Sequence, residues 1–484
     1  MSRKIDSYWR FLIGKEQRTD WLTITLSCLL GGLAICLCYP TPATYSDAFS
    51  YVAAAEADTF SIYRPFGYSA FLQLIHVFSH SVHAVIIAQI VLYAITLCLF
   101  VLAIKRYYPL SKTWIRMVLE VVMALSPVAL YMLNALMSDA LFCCLIFLML
   151  AMLLVVINEQ SWVACGIYLA AFFASLFVRY SAMFFPIAFV PVLLFVRKPA
   201  LRWTSVALTC VLFFVFYRNI SNNMYQAVRL HQFSTGFDGW QLANNAMHVL
   251  PFIEDDKQPD NRRVNDLHSF AYPRYNDLIV QRTDSGQTVT AGFLWQKDWP
   301  LKQYMFRYMQ TTRTPYPVAW ARLGGGLYAD YGKWLIMNYP LLFWKYYLSI
   351  NIQSVFYPKA LEMVGHYSEI PANQPDIRSW FGMDTSQPHA ARFPVYESHL
   401  KNVLPAIDLI TWLLFAAALV VIGWRFPNSR ESRLSLIMLF AFGFIYYGTT
   451  TFASPIVIRY WLAMHALKLA FVWIALTSNI PTSK

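Results

Sequence analysis

Charge is scarce in this chain: Asp, Glu, Lys and Arg make up 13% of its 484 residues, against 58% hydrophobic, and mean hydropathy is +0.44. A soluble domain carries about 25% charged residues, so water is excluded as the main solvent and lipid takes its place. Internal repeats and low-complexity tracts are missing, and the apolar runs do not fall into two similar halves. That excludes a solenoid and argues against a repeat-built transporter. No small-residue cleavage site of the A-x-A kind follows the first apolar run, so the basic leader and that run are expected to stay as an anchor. All eight cysteines (Cys28, Cys36, Cys38, Cys98, Cys143, Cys144, Cys165 and Cys210) fall inside expected spans. None can staple an external loop, and no CxxC pair offers a metal site. The glycine-rich phosphate loop and soluble α/β pattern of nucleotide-sugar enzymes are also missing.

What is present is a series of apolar runs near the ~20 residues that cross a bilayer. They lie at about 21–39, 82–104, 115–133, 136–157, 162–178, 181–196, 203–217, 404–422, 434–452 and 456–476, roughly ten spans. The chain is thus expected to be an all-α polytopic membrane protein. Lys and Arg cluster in the leader (Arg3 to Arg18), at 105–116, at 197–202 and at 425–433, with Lys484 beyond the last span. The short connections of the other set hold only Arg64, Arg179 and Arg459. The positive-inside bias then makes both termini cytoplasmic. The net charge of +12 sits mostly on cytoplasmic loops facing anionic lipid, and no basic soluble face suits a nucleic acid.

The expected organisation is a leader (1–20), an N-terminal membrane module (21–217) with a first external loop at 40–81, an external domain (218–403) and a C-terminal membrane module (404–484). The external domain holds 18 Lys or Arg against 15 Asp or Glu, with many aromatics, and should be largely helical. Within it, 335–357 is apolar but interrupted by Pro340, Lys345 and Asn351. A further span there would also put Arg425, Arg430 and Arg433 outside, so the stretch is expected to be interfacial or re-entrant.

Chemistry concentrates at the external ends of the spans. The first loop reads Tyr45-Ser46-Asp47-Ala48-Phe49-Ser50-Tyr51, then Tyr63-Arg64-Pro65-Phe66-Gly67-Tyr68. Ser46 is expected to cap a short helix that starts near Asp47, at the positive end of its dipole, and Pro65 and Gly67 set a turn before the chain re-enters the bilayer. Met137-Ser138-Asp139-Ala140-Leu141-Phe142 opens the fourth span, where a carboxylate is costly without a partner. Arg179 and Arg459 each stand among apolar residues on the same side. Read singly, the acids are helix caps and the arginines snorkel to headgroups. Together, two acids and three arginines from four connections describe a cavity that binds a phosphate-bearing lipid and removes a proton, as in glycosyl transfer from a lipid-linked sugar.

The order of Ser-Asp-Ala-x-x-Tyr, the Tyr-Arg-Pro-x-Gly-Tyr turn, Ser-Asp-Ala-Leu-Phe, Val-Arg-Tyr and a C-terminal Arg-Tyr resembles the multi-spanning C-fold glycosyltransferases. Within these it is most similar to the dolichyl-phosphate-mannose protein mannosyltransferase and lipid A aminoarabinose transferase superfamily. The resemblance covers 21–217 well and 404–476 more loosely. It implies a C-fold helical core, Asp47 as base and Asp139 as the acid of the second external loop. It also implies an inverting transfer from a polyprenyl-phosphate sugar to a glycan, lipid or protein acceptor. Arg64, Arg179 and Arg459 are the candidate donor-phosphate ligands, and Tyr63, Tyr68, Tyr180 and Tyr460 the candidate substrate-binding aromatics. Many members carry a second acid beside the first; here the neighbour is Ala48, so the metal stays undecided, with a divalent cation neither required nor excluded. A bacterial inner membrane is the expected location.

Weaker candidates remain. His76, His80 and His83 have spacings that could gather a metal, although no acid completes the set. Asn244 and Asn245 beside Trp240 could hold sugar hydroxyls, with loop packing the commoner role. Lys468 in the last span is expected to pair with lipid or snorkel. Two other classes compete: an O-antigen polymerase or ligase working through a late external loop, and a transporter of lipid-linked sugar with charges at mid-bilayer depth.

Overall fold

A computed structural model describes residues 8–59, 62, 64–233, 236–254, 257–284, 296–358, 375–382, 394–425, 427 and 429–477. Among these the chain is helical and forms no strand. Seven helices are long and apolar enough to span a membrane, or eight if a pair bent by 41° counts as one. Three shorter apolar helices, Gly67–Phe78, Trp162–Val178 and Tyr180–Leu193, fall below that length, the last two at the expected fifth and sixth spans.

In chain order the first are α1 (Arg18–Cys38), α2 (Ser46–Glu56), α3 (Gly67–Phe78) and α4 (Val82–Tyr107). Next come α5 (Thr113–Ala124), α6 (Pro127–Leu133), α7 (Ser138–Glu159), α8 (Trp162–Val178) and α9 (Phe185–Leu193). The bent pair is α5 with α6, broken at Leu125–Ser126 because Pro127 brings no N–H and disfavours helix in the residue before it. α7 is the hub. It is the most apolar of the spans, with 83% of its apolar window buried, and it packs along both α4 and α8. α1 and α10 (Pro199–Val228), with 28% and 22% buried, present most of their apolar surface outward, as lipid-facing helices do.

Beyond α10 lies a second core. α11 (Phe237–Ala246) packs on α12 (Ala329–Asn338) around buried Trp240, Trp299, Trp320, Tyr328 and Tyr331. The π-helical turn leading into α12 (Leu323–Tyr328) comes closer still and requires glycine: a Cβ on Gly239 would lie 1.8 Å from the Gly324 carbonyl oxygen. The stretch read as interfacial is not one span. It breaks at Tyr339–Pro340, widens to a π-helical turn at Trp344–Leu348 and resumes as α13 (Ser349–Phe356). The membrane module closes with α14 (Pro394–Trp424), α15 (Arg430–Ala453) and α16 (Leu462–Leu476).

Buried charges are paired. At the end of the bundle away from the first loop, buried Asp20 on α1 meets Lys105 Nζ at 2.5 Å and Arg116 Nε at 2.7 Å. Inside the C-terminal module, Lys468 on α16 corrects the snorkelling expectation: it is 2% exposed and its Nζ donates to Asp408 on α14 at 2.5 Å. Snorkelling needs a path to the interface, and here α14 supplies a carboxylate first.

Removing one partner of a buried pair leaves an uncompensated charge, at a cost of about 3–5 kcal/mol, whereas an apolar pair of similar volume is close to neutral. Asp408→Leu and Lys468→Met should each lower the thermal midpoint of the purified protein markedly. The double variant should recover most of the loss; equal melting of all four proteins would show that the pair contributes nothing.

Candidate functional site

Two loops meet at one end of the bundle because their backbones are joined. The Ala43 N–H donates to the Asn134 carbonyl at 2.9 Å, and the Leu136 N–H donates to the Ala43 carbonyl at 2.9 Å. Side chains hold this junction. Asn134 Nδ2 donates to the Tyr39 carbonyl at 3.0 Å, and Gln89 Nε2 donates to the carbonyls of Leu133 and Ala135 at 2.9 and 3.1 Å. Four residues beyond Ala43 lies Asp47, and four beyond Ala135 lies Asp139, so the junction sets the spacing of the two acids.

Neither acid sits where a capping residue would. α2 begins at Ser46 with Tyr45 in the N-cap position, and α7 begins at Ser138 with Met137 there; neither cap makes a side-chain bond. Asp47 and Asp139 each occupy the second residue of the first turn, near the positive end of the dipole. Their side chains meet arginines. Arg64 Nη2 donates to Asp47 Oδ1 at 2.5 Å, and Arg459 Nη2 lies 3.8 Å from Asp47 Oδ2. Arg179 Nη1 bonds Asp139 Oδ1. Among the described residues Asp139 Oδ2 is buried with no hydrogen-bond partner. Burial disfavours the Arg179 cation most strongly of any single effect, but the Asp139 carboxylate together with the Tyr446, Tyr460 and Tyr51 hydroxyls outweighs it, leaving the guanidinium pKa raised.

Aromatic faces complete the cluster. Arg64 lies 5.5 Å from the Tyr51 ring centre, and Arg459 5.5 Å from Tyr45 and 5.6 Å from Tyr460. Arg179 lies 5.5 Å from the same Tyr460 ring, so Tyr460 stands between the two cations. Tyr51 and Ser138 share a hydrogen bond of 2.9 Å across the loops. The cluster therefore joins Asp47, Arg64, Asp139, Arg179, Arg459 and Tyr460, three cations against two carboxylates.

The other candidates fall elsewhere. Tyr68 is fully buried and its hydroxyl donates to Gln89 at 3.0 Å, which makes it a support behind the junction rather than a lining residue. Tyr180 packs on Phe216 and Phe233. Tyr63 lies outside the described residues. His76 shares a 2.7 Å hydrogen bond with His80 and stacks on Trp380, whereas His83 faces the Pro40 carbonyl at 3.0 Å. Among the described residues no three His, Cys, Asp or Glu gather as metal ligands. Asn244 and Asn245 are buried and bonded within the fold. Asn244 accepts from Trp299 Nε1 at 2.5 Å, and Asn245 Nδ2 donates to the carbonyls of Phe452 and Ala453 at 3.3 and 3.0 Å.

Sequence reasoning missed Asn351, noticing it only as a break in an apolar stretch. It is buried, and its Nδ2 donates to the carbonyls of Thr451 and Ser454 at 2.6 and 2.7 Å while its Oδ1 accepts from Ile456 N–H at 2.8 Å. It thereby caps the end of α15 and fixes the loop that carries Arg459. An amide interrupting an otherwise apolar stretch was the available signal.

The chain matches no protein-family model, no curated protein and no solved structure.

Each hydrogen bond from Asn351 adds about 0.5–1.5 kcal/mol net, and a buried group left unpaired costs about 1–3 kcal/mol. Asn351→Leu keeps similar volume and removes these bonds, together with a longer one of 3.5 Å to the Tyr347 hydroxyl. Hydrogen exchange at Ile456 should accelerate by about fivefold or more, with little change in the helices around Asp20. Unchanged protection at Ile456 would show that Asn351 does not hold the loop.

Proposed function

We propose that this protein is an inverting glycosyltransferase that moves a sugar from a polyprenyl-phosphate donor to an acceptor hydroxyl at the end of the bundle carrying Asp47. One observation carries the reading: Asp47 is held between two arginines from distant parts of the chain, in a cluster with one more cation than carboxylates. A net cation beside an apolar bundle suits a lipid phosphate. The reading takes that end as external, in a bacterial inner membrane with both termini cytoplasmic, and the core as C-fold-like.

The geometry suggests an order of events. In the free protein Arg64 and Arg459 face Asp47. A donor phosphate competes for both guanidinium groups and offers them two or three oxygens in place of one carboxylate. Asp47, released from its partners, then accepts the proton of the acceptor hydroxyl as that oxygen bonds the anomeric carbon. The bond between that carbon and the phosphate oxygen breaks on the opposite face, and its electron pair leaves with the polyprenyl phosphate, held by Arg64 and Arg459. The proton passes from Asp47 to solvent. Arg179 holds Asp139 in place, leaving Oδ2 to orient the acceptor. Tyr460 keeps Arg459 and Arg179 apart and offers a ring face to the sugar.

Asp47→Asn should reduce transfer about 10²- to 10⁴-fold, the usual contribution of a general base, while insertion and donor binding persist. Near-normal transfer by that variant would remove Asp47 from the base role, and inactivity of Asp139→Asn alone would exchange the two. Arg459→Lys and Arg64→Lys keep the charge but lose the planar fork, so donor affinity and turnover should fall. Full activity in both would leave the arginines as headgroup contacts. Single cysteines at Glu56 and Asp260 should label from the same side of intact vesicles, and labelling from opposite sides would dismantle the shared site.

A further inference from the structure

Beside the charged cluster lies a groove of about 240 Å³, open on one side. Its polar lining comes from Asp58 and Thr59 after α2 and from Asn219 and Asn223 on α10; Ile220 on α10 adds an apolar patch, and the aromatic walls are Phe66 and Phe177. The walls belong to the elements of the charged cluster. Phe66 is two residues from Arg64, and Phe177 two from Arg179. They are pinned together at Gly67, where a Cβ would lie 2.6 Å from the Phe177 carbonyl oxygen, so only glycine permits this approach.

From this lining we infer that the groove is a binding site for a neutral sugar, the acceptor end of the reaction proposed above, and the inference rests on that reading only for the word acceptor. The chemistry of the lining selects the ligand class. No residue lining the groove carries positive charge and one is a carboxylate, which disfavours a phosphate. Two amides, a hydroxyl and a carboxylate beside two phenyl rings match alternating hydroxyls and C–H faces. The volume lies below the ~300–1,000 Å³ of drug-sized sites, which leaves room for one monosaccharide. Asn223 Nδ2 donates to Asn219 Oδ1 at 3.1 Å, and that bond uses neither the Asn219 NH₂ nor the Asn223 amide oxygen, a further donor and acceptor.

Asp58 supplies an independent observation. Its φ is +46°, a left-handed conformation that favours glycine. It follows the last turn of α2, where Thr59 N–H reaches the Ala54 carbonyl at 3.3 Å, the usual place for a terminal glycine. A carboxylate stands there instead. Gln73 Nε2 holds Asp58 Oδ1 at 3.0 Å and is itself tied to the Ala55 carbonyl at 2.9 Å. A strained position that keeps a polar side chain, braced by a second residue and lining a groove, is the arrangement of a ligand contact.

The test uses saturation-transfer NMR on the purified full chain with methyl glycosides of glucose, galactose, mannose, N-acetylglucosamine and arabinose. At least one glycoside should receive saturation from the wild-type protein, and the signal should fall at least fivefold in Asn219→Ala/Asn223→Ala and in Asp58→Gly. Asp58→Gly relieves the positive φ, so its thermal midpoint should hold or rise, which separates lost binding from lost folding. No signal from any glycoside, or a signal unchanged in both variants, overturns the site. Binding that survives in Asp47→Asn but not in the groove variants supports it even if the protein transfers no sugar from a polyprenyl phosphate, so failure of the transferase reading is seen separately.

Discussion

Every buried charge in a helix bundle within lipid must meet an opposite charge or a dipole, because an isolated ion in that medium costs several kcal/mol even after the protein relaxes. This requirement arranges the molecule. At one end Asp20 is neutralised by Lys105 and Arg116, joining α1, α4 and α5. In the C-terminal module Asp408 and Lys468 join α14 to α16. At the other end Asp47, Arg64 and Arg459 join the first loop to the last span, and Asp139 with Arg179 joins α7 to the turn after α8. The first two sets are closed and neutral as pairs or with a single surplus cation beside buried Glu120. The last is different in kind, since three cations face two carboxylates in a partly open place.

The two kinds of charge also differ in exposure. Asp408 and Lys468 are 6% and 2% exposed at the side chain, and their pairing is explained by the cost of leaving either alone. Arg64 and Asp47 remain 27% and 19% exposed and Arg459 15%, so a ligand can reach them. The rings of Tyr45, Tyr51 and Tyr460 shield the arginines without using up their donors. A polar ligand arriving there exchanges existing ion pairs for new ones instead of creating charge in a dry site, which lowers the desolvation cost of binding.

The unit with the second core is tied to the end of α15 through backbone contacts. Asn245 from α11 and Asn351 from α13 both take carbonyls at the end of α15, and Asn351 also holds the Ile456 amide. Arg459 thus owes its position to a domain with its own aromatic core. Two elements that share no sequence pattern are coupled because the last carbonyls of a helix need donors and here side-chain amides provide them.

Most of the span pattern was legible in the sequence, since a run of apolar residues near bilayer length has few alternatives, while α8 and α9 formed apolar helices shorter than the other spans. The arginines and acids at the loop ends were legible for the same reason: charge stands out against 58% hydrophobic residues. Partners were not. Lys468 read as a snorkelling cation because its carboxylate lies 60 residues earlier, and Tyr68 read as a ligand contact because its burial against Gln89 depends on α4. The first-loop helix starts at Ser46 rather than near Asp47, and at both Asp47 and Asp139 ion pairs rather than caps take the carboxylates. Composition and periodicity, which are local and repeat along the chain, determined the spans and the end of the bundle where charge gathers. Pairing, burial and the role of Asn351 were decided only in three dimensions, because each depends on a single contact between residues far apart in the chain.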